Sequence, residues 1–172
     1  MTDDANRLDL AEWIYLKLYL GQAVDKFDGL ILETVPKILA LERFERWFFL
    51  RYLDESGVAW VNVDQPLFQD SVKPAAAVTG SLGYVRLHGR NYEKWFAHAE
   101  SWERYNYLYS KEELSPWVER IRTMAREKET YVITNNHFRG QAIVNAAELK
   151  EALGIEGKVP PQLKEVYAGR LP

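Results

Sequence analysis

Three short apolar runs, each ending abruptly in polar residues, constrain this chain more than any other feature. They occupy residues 59–63, 84–87 and 131–134, and the residues that follow them are Asp64, His88 and Asn135. Continuous apolar runs of this length are typical of strands that are covered on both faces, as the strands of parallel sheets are. The sequence therefore predicts an α/β protein with an open, mainly parallel sheet and flanking helices.

Two amphipathic segments supply the helices. Ser110 and Glu113 form a capping box, and the helix that it opens carries an apolar stripe made of Leu114, Trp117, Val118, Ile121, Met124 and Ala125. A second helix is predicted over residues 140–153, with Gly154 ending it. Its expected inward-facing residues are Ala142, Ile143, Ala146 and Leu149. Residues 159–172 are expected to form a tail that packs across the surface.

The first 57 residues have a different pattern. Residues 13–20 alternate between an aliphatic and a mixed face, which predicts a strand, and residues 24–35 have the spacing of a weak helix. The aromatic residues 46–53 predict a second strand, followed by a turn at 54–57. Together with the three apolar runs, these segments predict a sheet of about five strands. Such a sheet is too small to close into a barrel, and a second copy of the chain could cover its open edge.

The amino-acid composition excludes some classes of function and makes others less favoured. The chain contains no cysteine, which excludes disulfides and thiolate chemistry and agrees with a cytoplasmic location. No apolar run approaches the roughly 20 residues of a membrane span. The net charge of −3 gives no overall field that attracts nucleic acid, although residues 86–95 mix basic and aromatic side chains, so nucleic acid is possible as a partner but not favoured.

The polar residues behind the apolar runs are the candidate site. The carboxyl ends of parallel strands share one rim, where ligands bind in such folds. We expect His88, His137 and Asp64 to provide acid/base chemistry there, and Arg86 and Arg90 to bind an anion. Asn91 and Asn136 are further ligand-binding candidates on the same predicted rim, which also includes Asn135.

Other roles for these residues stay open at this point. Asp64 could close a turn before Pro66, and Asn135 with Asn136 could cap the following helix. Two histidines and one carboxylate could also hold a metal ion, but no metal is assigned and the cofactor is unknown. His98 is expected to pack within a helix. An aromatic loop is either a lid or a packed loop, and its residues are Arg104, Tyr105, Tyr107 and Tyr109.

The residues from Val58 onward resemble a known family. The phrases are VAWVNVDQP (58–66), YVRLHGRN (84–91), YNYLYSKEEL (105–114) and NNHFRGQA (135–142), and they are similar to the C-terminal half of the YecE-like family, number 72 among the domains of unknown function. The resemblance implies a partial TIM-barrel-like fold over residues 58–172. That family has no established general activity and is sometimes compared with barrel enzymes that act on phosphodiesters. Its motif positions fall on Asp64, Arg86, His88, Arg90, Asn136, His137, Gly140 and Gln141, which adds Gln141 to the ligand-binding candidates.

The N-terminal segment resembles a second family. WIYLKLYLG (13–21) and RWFFLRYLD (46–54) look like the opening of the elimination domain of lantibiotic and thiopeptide dehydratases. The chain is thus divided at Gly57 into residues 1–57 and 58–172. The leading hypothesis is a YecE-like protein that binds a small anionic or phosphate-bearing ligand at the strand ends. The alternatives are an accessory module of lanthipeptide biosynthesis, which holds a peptide by strand addition or acts in elimination, and an inactive fusion. Whether the protein is an enzyme is not decided by the sequence.

Overall fold

The computed structural model describes residues 43–69 and 71–171. In chain order its regular elements are α1 (Arg43–Glu55), β1 (Val61–Asp64), β2 (Gly83–Leu87), α2 (Lys111–Glu127), β3 (Thr130–Thr134), α3 (Gln141–Leu153) and α4 (Pro161–Val166). Short 3-10 turns cover Glu103–Tyr105 and Phe138–Gly140. The strand expected at residues 13–20 and the helix expected at 24–35 lie outside the described residues.

The three apolar runs form one parallel sheet, as predicted. The strand order is β1-β2-β3, and both pairings are parallel, with Val63 opposite Arg86 and Arg86 opposite Ile133. The carboxyl ends of the strands therefore share one rim. Within residues 43–69 and 71–171 the sheet has three strands, fewer than the five or so expected from the whole sequence.

The two faces of this sheet are not equally covered. Val85 and Leu87 are fully buried beneath α2. On the other face Val61, Tyr131 and Ile133 expose 37%, 46% and 39% of their surface. The expectation that both faces are covered thus holds for β2 more than for β1 and β3 in the described part of the chain.

Helix α2 packs the main core against the sheet. Its capping box is present, with Ser110 accepting from the Glu113 amide and Glu113 accepting from the Ser110 amide. Five of the six predicted stripe residues are buried, while Ala125 is exposed. The buried core cluster consists of Val85, Leu87, Tyr109, Leu114, Trp117, Val118, Ile121, Met124 and Leu149.

The predicted strand at residues 46–53 is wrong, because this segment belongs to helix α1. Phe49 is buried, and Leu50 and Leu53 pack beside it against Trp60 and Val72. Positions 49, 50 and 53 are one and four residues apart, so they lie on one side of a helix. The aromatic residues of this segment favour strands intrinsically, which is why the helical spacing was overlooked. No helix in the described part of the chain is both long and apolar enough to span a membrane.

Helix α3 is present as predicted, but it is rotated about its axis. Ile143 is exposed, whereas Val144, Asn145, Glu148 and Leu149 are buried. Two polar residues face inward because they have partners there, as Asn145 donates to the Tyr109 carbonyl and to Glu148. Gly154 ends the helix with a φ of 73°, as expected from a glycine C-cap.

The C-terminal tail packs across the surface through Arg170. This guanidinium lies 2.6 Å from a Glu148 carboxylate oxygen and donates to the Tyr109 carbonyl at 2.7 Å. Leu163 of α4 contacts Gly140, and the Tyr167 hydroxyl donates to the Arg139 carbonyl. The tail thus closes over the start and the buried face of α3.

Gly80 and Gly57 offer a matched test of the turn that precedes β2. Both have positive φ, at 65° and 70°, but a Cβ on Gly80 would lie 2.8 Å from the Gly57 carbonyl oxygen, while a Cβ on Gly57 meets nothing within 4 Å. Gly57→Ala should lower the free energy of unfolding by ~1 kcal/mol through backbone strain alone. Gly80→Ala should lower it by ~3 kcal/mol, because the backbone clash adds to that strain. Urea denaturation of both variants measures the difference, and equal losses would contradict the placement of this turn.

Candidate functional site

A buried carboxylate lies at the end of β1. Asp64 is fully buried, and its Oδ1 accepts hydrogen bonds from Arg90 Nε and the Tyr109 hydroxyl, both at 2.8 Å. Its Oδ2 accepts from Arg90 Nη2 and Trp117 Nε1, both at 2.6 Å. Four donors thus fill the accepting positions of this side chain. Asp64 is a buried hydrogen-bond acceptor rather than the residue that closes a turn before Pro66.

Arg90 forms an ion pair with Asp64. Its fork binds Asp64 through two nitrogens, and this hydrogen bonding raises the pKa of Arg90 above its usual range. A third nitrogen lies 3.4 Å from Glu113. The structure therefore brings Asp64 and Arg90 together, but it places both in an internal ion pair. Their predicted roles as acid/base group and anion clamp stay predictions.

His88 lies just past the end of β2, between aromatic rings. Its ring centroid is 6.3 Å from that of Trp95 and 6.0 Å from that of Tyr105, and its Nδ1 is 3.1 Å from the Asn135 amide nitrogen. Burial lowers the pKa of His88 from 6.5 to about 4, with the Arg86 charge adding to the shift and the Asp64 charge opposing it. His88 is therefore a neutral imidazole at physiological pH.

Two arginines face this histidine without carboxylate partners in the described part of the chain. Arg86 and Arg104 both lower the pKa of His88 by their positive charge. The Nε atom of each is buried and has no hydrogen-bond partner. Arg104 also lies 5.9 Å from the ring centroids of both Trp95 and Tyr105, and its Nη2 is 2.9 Å from His98 Nε2. The result is a positively charged corner of the rim.

His137 lies on the other side of Tyr105. Their ring centroids are 5.4 Å apart, and His137 is exposed, with its Nδ1 3.0 Å from the Asn135 carbonyl oxygen. Both predicted histidines thus contact the same tyrosine on the same rim. The expectation that parallel strands bring His88 and His137 together is confirmed in its geometry.

The three predicted amide ligands brace the loops. Asn91 donates to the carbonyls of Glu103 and Asn106, and Gln141 donates to the Asn106 side chain. Asn136 is fully buried and donates to the Tyr107 carbonyl and to Asn145. The oxygens Asn136 Oδ1 and Gln141 Oε1 are buried without a partner. Neither Asn135 nor Asn136 caps α3, since Gly140 holds the N-cap position without a side-chain bond.

The aromatic loop is packed rather than open. Tyr109 is fully buried, and Tyr107 packs against it with ring centroids 5.1 Å apart. Burial raises the pKa of both tyrosines above the usual range. His98 does not lie within a helix, because residues 92–102 form turns and bends. It contacts Arg104 instead.

Several important side chains were not among the predicted site residues. Arg104 and Tyr105 were interpreted as loop residues. Asn135 was placed on the rim, with a helix cap as the alternative, but it was not given a role in the site. Trp117 was interpreted as core, and nothing in its spacing from Asp64, 53 positions away, indicates that the two side chains meet. Only the arrangement of the loops around the rim reveals these contacts.

Two other features lie apart from this rim. A groove of about 350 Å³ opens between α2 and α3, but its charged lining is largely paired internally, as Arg122 is with Glu119 and Glu148 with Arg170. No three His, Cys, Asp or Glu side chains gather closely enough to hold a metal ion among residues 43–69 and 71–171.

Removing the buried carboxylate tests its structural role. Asp64→Ala leaves two guanidinium nitrogens of Arg90, a hydroxyl and an indole N–H without their acceptor, so we expect the free energy of unfolding to fall by at least ~3 kcal/mol. Glu119→Ala removes an exposed ion pair with Arg122 and should change it by less than ~0.5 kcal/mol. Chemical denaturation followed by circular dichroism measures both. A stable Asp64→Ala variant would contradict this role.

The charge state of His88 can be measured directly. Its resonance in a proton NMR titration, assigned by its absence in His88→Gln, should have a midpoint at about pH 4. Since the unfolded chain takes up this proton near pH 6.5, the folded state loses stability as the pH falls from about 6.5 to about 4. His88→Gln should lack that part of the acid destabilisation. A midpoint near 6.5 would show that His88 is solvated and far from the two arginines.

Comparisons with known proteins agree with the geometry. A family model described as "Protein of unknown function DUF72" matches residues 24–168. The UPF0759 protein YunF of Bacillus subtilis is 29% identical in an alignment of 141 positions, and the match covers 72% of this chain and 50% of that protein. The chain thus spans about half the length of this curated relative.

Solved structures of similar proteins share the fold. A DUF72 family protein from Thermotoga maritima is 40% identical with a TM-score of 0.57, covering 61% of this chain and 40% of that one. A DUF72 family protein from Enterococcus faecalis is 29% identical with a TM-score of 0.60, covering 70% and 46% of the two chains.

The family match also corrects one expectation. It begins at residue 24 and runs across Gly57, so the resemblance of residues 10–57 to lantibiotic dehydratases is not supported. The parallel sheet, the rim residues and the matched range together place this chain in the DUF72 family, whose activity is unknown.

Proposed function

We propose that this protein binds a small anionic ligand at the carboxyl ends of its strands, in the corner between Arg86, Arg104 and His88. The observation that supports the proposal is the pair of buried Nε atoms on Arg86 and Arg104, which have no hydrogen-bond partner among the described residues. Buried polar groups in folded proteins are nearly always hydrogen-bonded, so each unpartnered donor requires an explanation. A bound oxyanion that accepts from both guanidiniums would supply the missing partners.

The charge balance around this corner supports an anion rather than a neutral ligand. Asp64 is occupied by four donors, and Glu113 accepts from Arg90, the Tyr107 hydroxyl and the Ser110 amide. The nearby carboxylates are therefore committed to other groups. Among the described residues, two guanidiniums beside a neutral imidazole leave about two positive charges uncompensated, which raises the local affinity for anions.

The rings around the corner shape it and limit its solvation. Trp95 and Tyr105 contact His88 on two sides and lie beneath the Arg104 guanidinium. A charged contact in such partly desolvated surroundings is stronger than on an open surface. The aromatic residues of the loop thus hold Arg104 in place for a ligand.

Of the three acid/base candidates that the sequence suggests, the geometry favours His137 for proton transfer at this corner. His88 is neutral and cannot donate a proton as an imidazolium at pH 7. The exposed His137, which contacts Tyr105 from the other side, is the better candidate for proton transfer.

We also propose that the protein is located in the cytoplasm.

Inorganic sulfate is the probe for the proposed site. We expect Arg86→Gln and Arg104→Gln each to weaken sulfate binding at least tenfold, because each removes a charge-assisted hydrogen bond of ~1.5–3 kcal/mol. Isothermal titration calorimetry at low ionic strength measures the affinity. Sulfate should also raise the NMR titration midpoint of His88, because it neutralises the two cations that lower the pKa of this histidine.

Arg126→Gln is the matched control. Arg126 is an exposed arginine in the last turn of α2, at the opposite end of the helix from the rim, and its removal changes the net charge by the same amount. Sulfate affinity should be unchanged in this variant. An equal loss in all three variants would mean that sulfate responds to net charge alone, and the proposed site would be withdrawn.

A further inference from the structure

We infer that the corner between Arg86, Arg104 and His88 selects oxyanions that carry no proton, such as a sulfate or a fully ionised phosphate ester, over anions with an O–H group. This inference rests on the proposed function and specifies the chemical class of the ligand. It follows from a count of the donors and acceptors that face the corner.

The charged groups of the corner can only donate. A guanidinium has five N–H donors and no acceptor, and this holds for both Arg86 and Arg104. Ligand oxygens that approach the two buried Nε atoms must therefore present lone pairs. A protonated oxygen in the same place would direct its hydrogen at a cation.

Asn135 makes His88 a donor as well. The Asn135 amide nitrogen lies 3.1 Å from His88 Nδ1, and an amide N–H can only donate, so Nδ1 accepts. In a neutral imidazole the proton then resides on Nε2. His88 is neutral at physiological pH, and its Nε2–H is left to donate to the ligand. Asn135 is in this sense a positioning residue that selects the tautomer.

The carboxylates that could accept a ligand proton are already used. Asp64 Oδ1 and Oδ2 each accept two hydrogen bonds within the protein. Glu113 Oε1 accepts from Tyr107 and Arg90, and its Oε2 accepts from the Ser110 amide. In the described part of the chain, an anion bound here thus finds donors on charged groups and no free carboxylate. A ligand hydroxyl placed at the two guanidiniums directs its hydrogen at a cation and finds no carboxylate to accept it, so it is disfavoured.

Inorganic sulfate and inorganic phosphate form the decisive comparison. They have the same tetrahedral shape, but phosphate keeps at least one O–H at neutral pH and gains another as the pH falls. We expect sulfate to bind at least tenfold more tightly than phosphate at about pH 8, where both ions are mainly dianions and differ by the phosphate O–H. Between about pH 8 and pH 6, phosphate affinity should fall while sulfate affinity stays constant, because His88 does not titrate in this range.

Asn135→Asp reverses the selectivity if the inference is right. The aspartate adds a carboxylate that can accept a phosphate O–H and that repels sulfate, so the ratio of sulfate to phosphate affinity should fall at least tenfold relative to wild type. Nitrogen chemical shifts of the His88 ring provide an independent readout, since wild type should show the proton on Nε2. Circular dichroism verifies that the variant is folded. If the variant does not fold, the comparison of sulfate with phosphate on the wild-type protein still tests the inference.

The outcomes separate this inference from the proposed function. One outcome keeps the anion site and refutes the selectivity. In it, both anions bind to the wild-type protein, both lose affinity in Arg86→Gln and Arg104→Gln, and phosphate binds as tightly as sulfate or more tightly at about pH 8. A proton on His88 Nδ1 likewise refutes the role of Asn135. If neither anion binds to the wild-type protein, the proposed function and this inference fall together.

Discussion

The buried carboxylate of Asp64 holds together parts of the chain that are far apart in sequence. It lies at the end of β1 and binds Arg90 in the segment after β2, Tyr109 at the end of the aromatic loop and Trp117 on α2. A buried ion is tolerated only when its hydrogen-bonding capacity is filled, so all of these groups must be in place at once. The position of α2 over the sheet and the path of the aromatic loop are therefore fixed by the same four hydrogen bonds.

This arrangement divides the rim into two electrostatic parts. In one part Arg90 is neutralised by Asp64 and Glu113. In the other, Arg86 and Arg104 stand near a neutral His88 with no carboxylate to balance them in the described part of the chain. Had Asp64 been free to turn toward Arg86, it would compensate one of the two positive charges of the second part, and the attraction for an anion would be weaker. The ion pair between Asp64 and Arg90 thus keeps the positive charge of the candidate site higher than it would otherwise be.

Some of this arrangement can be predicted from sequence and some cannot. The three parallel strands follow from short apolar runs, and the capping box of α2 and the glycine end of α3 follow from local chemistry, so each was predicted correctly. The helix at residues 43–55 was missed because aromatic residues favour strands intrinsically, and only the burial of Phe49 against Trp60 shows the helical face. The rotation of α3 was missed because Asn145 and Glu148 are buried by polar partners that no hydrophobic pattern reveals.

The candidate site shows the same limit. Strand ends indicated His88 and Arg86 because period-two alternation places both on one side of β2. Arg104 and Asn135 complete the corner from loops, whose course depends on tertiary contacts and not on periodicity. Arg86 lies in the sheet row between Val63 and Ile133, so aliphatic neighbours flank its charge. A cation that has no carboxylate partner among the described residues is costly in such surroundings, and a bound anion that removes this cost would stabilise the folded chain as well as occupy the site.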